Sequence, residues 1–262
     1  MNFNNIVMIG CGKMGGALLN HWMTGGENFT IVDPALDSAP SGARLVADIE
    51  ALGDENFDVV IVAIKPQMIN EVLPGYASRL AEGGYVLSIA AGCSAQRIAR
   101  AMNGAPVVRV MPNLPAAVGQ GVSGLYAGPE VGADQGAHAS AMMERAGTVV
   151  TVDDEDRLDR VTAVAGSGPG YVFEIARAYV AAAEEQGFSA EDARAMVLGT
   201  MAGALAMAME DGAPDLETLR NSVTSKGGTT AAGLAALNGD ETLSRLMRVT
   251  LQAAYERAVE LR

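Results

Sequence analysis

The sequence predicts an α/β domain built on a parallel sheet, followed by an all-α domain, and three observations support this prediction. Short, nearly continuous apolar runs alternate with helix-patterned stretches over the first half of the chain, a glycine-rich turn follows the first run, and no convincing strand pattern occurs after about residue 156. Alternation of strands and helices is typical of a doubly wound parallel sheet. We therefore place one domain at residues 1–156 and a second at residues 157–262.

The apolar runs predict seven strands, and their continuous hydrophobicity indicates strands that are covered on both faces. Five are predicted at Asn5–Gly10, Phe29–Asp33, Asp58–Ile64, Tyr85–Ala90 and Val107–Met111. Two more are predicted at Gly121–Ala127 and Gly147–Val152. The helices between them are predicted at Met14–Thr24, Pro66–Leu80 and Glu130–Arg145.

The second half of the chain carries three wide apolar stripes at helical spacing. They begin near Val172, Ala193 and Leu243 and are rich in Ala and Met. A wide apolar face on a helix must be buried. A helical domain of this size can cover only part of such a surface by itself, so we expect the rest to form a subunit interface. The second domain is therefore predicted to be a dimerisation domain.

The composition excludes several classes of function. The 262 residues are 49% hydrophobic, so the chain can form a sizeable core. Its formal net charge is −13, so its overall electrostatic field does not attract nucleic acid. Two cysteines make no disulfide framework, and the N-terminus lacks the basic region of a signal peptide. No apolar run reaches the roughly 18 residues of a membrane span. We expect a cytoplasmic protein without a metal site.

The turn Gly10–Gly15 follows the first predicted strand and opens the first helix. Gly10 permits a tight turn, Gly12 lets the backbone approach a pyrophosphate, and Gly15 lets the helix pack closely on the strand. The pyrophosphate would then lie on the amide groups at the positive end of the helix dipole. In this context the pattern predicts a Rossmann-type, dinucleotide-binding domain. Its first coenzyme contacts are predicted at Gly10, Gly12, Lys13, Met14 and Gly15.

Asp33 ends the second predicted strand at nearly the distance from the glycine turn that is expected for a carboxylate binding the adenosine ribose. A 2′-phosphate would place nearly two negative charges beside this carboxylate, and no arginine follows closely. We therefore predict NAD(P)H binding with a preference for NADH. The alternative is that Asp33 only caps a turn before Pro34.

Two further strand ends are predicted to face the coenzyme, because ligands of such sheets bind outside the carboxyl ends of the strands. Lys65 is placed to reach a ribose or a phosphate, although a solvated lysine before a helix that starts at Pro66 is an equally good interpretation. Small residues after the next strand would let the nicotinamide approach the backbone. The predicted contacts at these two ends are Ala63, Lys65, Pro66, Ala90, Ala91 and Gly92.

Six segments spread over almost the whole chain resemble the pyrroline-5-carboxylate reductase family. They are Gly10–Gly15, Ala63–Gln67, Ser88–Gly92, Arg109–Asn113, Gly166–Tyr171 and Val223–Thr230, of which the last two are the most specific. The chain departs from the family at Lys226, where proline is common, and at Gly170, where alanine is usual. The resemblance implies an intertwined helical dimer, often assembled into decamers, that reduces 1-pyrroline-5-carboxylate to L-proline with NADPH or NADH, the last step of proline biosynthesis.

The segment Ser225–Thr230 is a glycine-rich stretch that leads into a helix predicted near Ala231–Asn238. Such segments present backbone amides and hydroxyls to an anion, which allows an acidic protein to bind a carboxylate. An ordinary Ser/Thr capping loop is the alternative. The resemblance implies a site for the substrate carboxylate and, for the Thr230 hydroxyl, a catalytic role near the ring nitrogen. The implied substrate-binding residues are Ser225, Gly227, Gly228, Thr229 and Thr230.

Two other functions remain open at this point. Sugar-acid and β-hydroxyacid dehydrogenases of the same two-part build carry a catalytic lysine on a core helix, whereas the only lysine after residue 156 is Lys226, in a predicted loop. A related imine reductase shares that build as well. A non-catalytic dinucleotide sensor with a helical dimerisation domain would not need the Ser225–Thr230 segment. We expect no histidine acid, because His21 and His138 both look structural or solvated.

Overall fold

The computed structural model describes residues 3–261. Within them, eight strands form one sheet: β1 (Asn5–Ile9), β2 (Asn28–Val32), β3 (Arg44–Val46), β4 (Phe57–Val62), β5 (Leu80–Ser88), β6 (Val107–Met111), β7 (Gly121–Ala127) and β8 (Gly147–Val152). Their spatial order is β3-β2-β1-β4-β5-β6-β7-β8. All seven predicted strands are present, and the short edge strand β3 was not predicted.

The sheet is parallel except at one pair of strands, since β7 runs antiparallel to β6. The connection between them, residues 112–120, contains only a short 3₁₀ helix at Leu114–Val118. A parallel neighbour needs a crossover of a dozen or more residues. The chain therefore turns back directly, and β8 then pairs parallel to β7. The fold class is confirmed, with this one antiparallel pair as a correction to a purely parallel sheet.

The α-helices are α1 (Lys13–Trp22), α2 (Ile69–Val72), α3 (Ala95–Ala101), α4 (Ala133–Glu144), α5 (Glu155–Val161), α6 (Gly168–Glu185), α7 (Ala190–Ala208), α8 (Leu216–Ser222), α9 (Thr229–Asn238) and α10 (Thr242–Glu260). The long helix predicted at Pro66–Leu80 is wrong. That segment holds only α2, between 3₁₀ turns at Pro66–Met68 and Leu73–Arg79. Pro74 lacks an amide hydrogen and stops the helix.

The core lies on both faces of the sheet. Ile6 and Met8 of β1 pack towards α1 and α4, while Val7 and Ile9 pack on the opposite face. Successive side chains of a strand point to opposite faces, so a strand that is buried on both sides is apolar at every position. This arrangement explains why the strands appear in the sequence as unbroken apolar runs.

The chain divides into two compact units, one formed by the residues up to Pro169 with those from Ala253 onward, the other by Gly170–Gln252. Within residues 156–261 there is no strand. The second unit buries only small or medium apolar side chains, namely Ala176, Ala193 and Val197. Large apolar side chains are exposed along its helices, including Phe173 at 65%, Leu205 at 54% and Val249 at 62%. The wide apolar faces predicted from the sequence are thus uncovered in a single chain.

No helix among the described residues combines the length and the apolar character needed to cross a membrane.

Candidate coenzyme and substrate sites

The glycine turn joins β1 to α1 at the carboxyl edge of the sheet. Gly12 is the N-cap of α1, with φ −68° and ψ −168°, and a Cβ added there would meet no atom within 4 Å. The space in front of the first helical amides is therefore open. An open approach to a helix N-terminus is the arrangement that a pyrophosphate requires.

The other two glycines of the turn are closely packed. A Cβ on Gly15 would overlap Cε of Met8, so the absence of a side chain lets α1 pack against β1. Gly10 has φ +79°, and a Cβ there would lie 2.9 Å from Ile64. Cys11, between them, is buried in the core, and burial raises the pKa of its thiol. The three glycines therefore have three different physical roles.

A cavity of about 250 Å³ lies at the carboxyl ends of β1, β4 and β5. Eight of the residues predicted to contact the coenzyme line it: Gly12, Lys13, Met14, Gly15, Ala63, Lys65, Ala90 and Ala91. Ile64 and Ile89, which the sequence did not single out, line it as well. The other four predicted contacts do not line this cavity, namely Gly10, Asp33, Pro66 and Gly92. Gly92 has φ +67°, and a Cβ there would lie 2.5 Å from the carbonyl oxygen of Leu261.

The carboxylate of Asp33 lies beside the glycine turn, directly after β2. Its Oδ2 accepts a hydrogen bond from the amide of Cys11 at 2.8 Å, and its Oδ1 accepts one from the amide of Ala35 at 2.9 Å. The second bond is the turn cap that was the alternative interpretation. The first bond ties the carboxylate to the Gly10–Gly15 turn, so Asp33 both caps its own turn and lies against the glycine turn.

The segment Ser225–Thr230 lies partly within α9. Gly228 is the N-cap of this helix, and Thr229 and Thr230 are its first two residues, so the helix begins two residues before the predicted start. The backbone turns at Gly227, with φ +71°, and the amide of Gly228 donates to the carbonyl of Ser225 at 3.0 Å. The side chains of Ser225, Thr229 and Thr230 are exposed. The segment thus offers hydroxyls and a helix N-terminus to solvent.

The chain matches known proteins along its whole length. A family model described as pyrroline-5-carboxylate reductase dimerisation matches residues 155–261, and one described as NADP oxidoreductase, coenzyme F420-dependent, matches residues 5–92. A pyrroline-5-carboxylate reductase of Vibrio alginolyticus is 36% identical over 274 aligned residues, which cover 100% of this chain and 98% of that protein. The chain belongs to the pyrroline-5-carboxylate reductase family. The resemblance inferred from the motifs is thereby confirmed.

Solved structures agree with this assignment. A pyrroline-5-carboxylate reductase from Coxiella burnetii superposes with a TM-score of 0.91 at 33% sequence identity and covers 99% of both chains. The structure of a Plasmodium falciparum pyrroline carboxylate reductase with NADP bound has a TM-score of 0.85 at 24% identity, covering 100% of this chain and 99% of that one. The second likeness shows the shared fold. The predicted class of enzyme, an NAD(P)H-dependent oxidoreductase, follows from the family.

Arg109, in the family segment Arg109–Asn113, is a buried charged residue to which the sequence motifs assign no role. Arg109 is 4% exposed and donates from Nη1 to Oε1 of Glu155 at 2.5 Å. The same oxygen accepts from the amide of Ala95 at 2.9 Å, which ties α5 to the start of α3. A charged residue within an otherwise apolar strand is the signal that could have revealed this anchor, because a buried charge must be paired.

His138 is half-buried among polar side chains at the amino edge of the sheet. Its Nδ1 is 2.9 Å from the Tyr85 hydroxyl, and its Nε2 is 3.6 Å from Oε1 of Glu27. Arg145 binds both carboxylate oxygens of Glu27, at 2.8 and 2.7 Å. The cluster lies at the edge of the sheet opposite the coenzyme cavity. The structure therefore gives His138 a packing position and not one among the predicted site residues.

We expect the stability of this family member to fall on acidification because of that cluster. Burial lowers the pKa of His138, against the opposing charge of Glu27. Burial alone would raise the pKa of Glu27, but hydrogen bonds from Arg145 and the backbone outweigh it and lower the pKa. Both pKa values are lower in the folded protein than in the unfolded chain. The contribution of each residue to the free energy of unfolding is therefore complete at any pH above the pKa of that residue in the unfolded chain. The His138 contribution is lost as pH falls below about 6.5, and that of Glu27 below about 4.3.

The test is the urea midpoint measured between pH 8 and pH 5 for the wild type and for His138→Gln. The wild-type midpoint should fall over this range, and the variant should lose less of its midpoint because it has no imidazole to protonate. His21→Gln, which removes the other histidine, is the control and should follow the wild type. An equal decline in all three proteins would contradict the role assigned to His138.

Proposed function

We propose that this chain reduces the C=N bond of 1-pyrroline-5-carboxylate to give L-proline, with NAD(P)H as the coenzyme. The observation that carries the proposal is the Ser225–Thr230 segment at the start of α9, which presents exposed hydroxyls and a helix N-terminus in a strongly acidic chain and which we propose binds the substrate carboxylate. A dinucleotide sensor has no use for such a segment. A hydroxyacid dehydrogenase would need a lysine on a core helix, and Lys226 lies in the exposed turn before α9.

The residues of the glycine turn fit a dinucleotide. The approach to Gly12 is open, and the cavity beyond it carries two cations, Lys13 and Lys65, in a chain with a net charge of −13. Backbone amides at the start of α1 would hold the pyrophosphate. Small residues, Ala63, Ala90 and Ala91, leave room for a flat ring near the strand ends. The coenzyme, when bound, supplies a hydride to the imine carbon.

The substrate carries one carboxylate and a protonated imine, and the proposed assignment gives each a partner. The carboxylate takes hydrogen bonds from the Ser225 and Thr229 hydroxyls and from the backbone amide of Gly227, while Gly228, whose own amide donates to the Ser225 carbonyl, starts the helix beside it. The Thr230 hydroxyl orients the ring nitrogen and exchanges a proton with it. A protonated imine is already electrophilic, so the side chains mainly bind and align.

The experiment that tests this function is NADH oxidation by the purified protein with 1-pyrroline-5-carboxylate, against a panel of hydroxy- and oxo-acids. Rapid turnover of the imine alone, with L-proline as the product, is the expected result. Turnover of a hydroxyacid would instead support the dehydrogenase, and coenzyme binding without turnover of any substrate would support the sensor.

The coenzyme preference proposed for this chain is NADH. The support is the position of Asp33, whose Oδ2 accepts from the Cys11 amide within the dinucleotide-binding turn. A 2′-phosphate near this carboxylate would meet a like charge at short range. No positive side chain follows in the segment from Pro34 to Ala43.

Asp33→Asn should therefore raise the NADPH:NADH ratio of kcat/KM by about tenfold, because it removes the like charge while the amide oxygen can still accept from Cys11. The ratio is measured by steady-state kinetics with both coenzymes. Asp37→Asn, which neutralises an exposed carboxylate four residues further on, is the matched control and should leave the ratio unchanged. A wild-type protein that works tenfold better with NADPH would refute the assignment of Asp33.

The functional domains proposed are a dinucleotide-binding domain at residues 1–156 and a dimerisation and substrate domain at residues 157–262. The two family matches, at 5–92 and 155–261, support this division. The family's dimerisation region and the uncovered apolar faces of α6, α7 and α10 support a homodimer formed through the helical domain. Assembly of such dimers into a decamer and a cytoplasmic location are proposed from the family resemblance.

A further inference from the structure

Asn113 is a buried amide at the carboxyl edge of the sheet, and the proposed reaction does not yet use it. It is 6% exposed and lies two residues after the end of β6. Its Oδ1 accepts from the amide of Val122 at 2.8 Å, and its Nδ2 donates to the carbonyl of Ala165 at 3.0 Å. One side chain thus joins the end of β6, the start of β7 and the segment after α5.

The segment that receives the Asn113 amide is a π-helical turn, Thr162–Gly166, between α5 and α6. The amide of Ser167 closes it by donating to the carbonyl of Thr162 at 2.9 Å. A π-turn leaves carbonyl groups without their usual helical partners, and such turns occur frequently at functional sites. The Asn113 bond gives the Ala165 carbonyl a fixed partner and thereby holds the turn in place.

The same turn packs on the last residue of β6. A Cβ added to Gly166 would lie 3.0 Å from Cε of Met111, so the glycine allows the turn to approach this side chain closely. Met111 is only half-buried. Met111 and Gly166 therefore form a small surface after β6, with the turn held by the buried Asn113, and we call it the β6-edge surface.

The position of the β6-edge surface is set by the strand order. β1, β4, β5 and β6 are parallel neighbours in that order, so their carboxyl ends follow one another along one edge. The coenzyme cavity spans the ends of β1, β4 and β5 and ends at Ala90 and Ala91. The next strand end along the edge is that of β6. A small acceptor beyond the nicotinamide would therefore meet the β6-edge surface.

We propose that Asn113 is a positioning residue for the imino-acid acceptor. Asn113 holds the Thr162–Gly166 turn against Met111 and thereby keeps the β6-edge surface in a single conformation. This inference rests on the proposed function. Asn113 should affect binding of the acceptor and not binding of the coenzyme, because the side-chain hydrogen bonds of Asn113 do not reach any residue that lines the coenzyme cavity.

The test compares Asn113→Asp with Gln135→Glu in the full-length protein. Asn113→Asp keeps an oxygen for the Val122 amide but loses the donor to Ala165. Gln135 makes a similar bridge at the opposite edge of the sheet, since its Oε1 accepts from the Gly132 amide at 2.8 Å and its Nε2 donates to the carbonyls of Gly83 at 2.9 Å and Gly84 at 3.1 Å. Gln135→Glu is therefore the corresponding amide-to-carboxylate substitution, and because it loses two donated bonds its cost in stability should be at least as large.

Asn113→Asp should raise the KM for 1-pyrroline-5-carboxylate about tenfold, while the Kd of NADH, measured by coenzyme fluorescence, stays within about twofold of the wild type. Gln135→Glu should lower the melting temperature at least as much as Asn113→Asp does and leave the imino-acid KM unchanged. Equal KM values for the two variants, or a parallel rise in the Kd of NADH, would overturn the proposal. A wild type that does not reduce the imine would instead refute the proposed function.

A second variant reaches the same surface without touching Asn113, in case Asn113→Asp does not fold. Gly166→Ala places a methyl group against Met111 and disturbs the β6-edge surface from the other side. It should also raise the KM for the imino acid and not the Kd of NADH. An imino-acid KM for Gly166→Ala equal to that of Gln135→Glu would contradict the proposal.

Discussion

Replacing Thr230 by alanine is expected to lower kcat/KM for the imine about 100-fold, the size of effect that loss of a positioned proton donor commonly has. Thr230 is the second residue of α9, and its side chain is exposed. Alanine has a higher helix propensity than threonine, so the substitution removes the hydroxyl without a cost to the helix. The unfolding midpoint should therefore stay at or slightly above the wild-type value while the activity falls.

Two further variants separate the hydroxyl from the shape of the side chain. Thr230→Ser keeps the hydroxyl and should keep most of the activity, whereas Thr230→Val keeps the branched shape and should lose as much activity as alanine does. Steady-state kinetics with NADH held at saturation is the measurement. Wild-type kcat/KM in Thr230→Val would remove Thr230 from the chemistry and leave it as a helix residue.

The sequence revealed those parts of the fold that depend on local pattern. Strands such as β1 and β4 are buried on both faces, so their residues are apolar without interruption, and their positions could be predicted to within about two residues. The helix predicted at Pro66–Leu80 was wrong because the apolar spacing continued through Pro74, whose missing amide hydrogen matters more than the pattern. The antiparallel direction of β7 could not be predicted from the composition of the strand, because it follows from the short connection between β6 and β7.

The candidate site could be predicted only where the chemistry lies within one segment. The Gly10–Gly15 turn and the Ser225–Thr230 segment could each be recognised from their own residues, because the glycines and hydroxyl residues that present backbone amides at a helix N-terminus are consecutive in the sequence. Asn113 does not, since its partners Val122 and Ala165 are 9 and 52 residues away along the chain. The bond from Asp33 to Cys11 likewise spans 22 residues. Contacts of that kind require the folded structure.

Replacing Gly12 by valine is expected to raise the Kd of NADH about 100-fold without lowering the stability of the fold. Gly12 has extended backbone angles that any residue adopts, and a Cβ there would meet no protein atom within 4 Å. The backbone and the space around the Cβ position therefore accept a side chain here. The new side chain would instead occupy the space through which a pyrophosphate must approach the first amides of α1.

Gly15 and Gly16 supply the controls, because the physical reason for a glycine differs at each position. Gly15→Ala should lower the unfolding midpoint, since its Cβ would overlap Cε of Met8, which is fully buried and has little room to move. Gly16→Ala should leave the Kd of NADH unchanged, since its Cβ would make only an ordinary contact of 3.9 Å with Cys11. If Gly12→Val bound NADH as tightly as Gly16→Ala, the turn would not hold the pyrophosphate, and its glycines would serve packing alone.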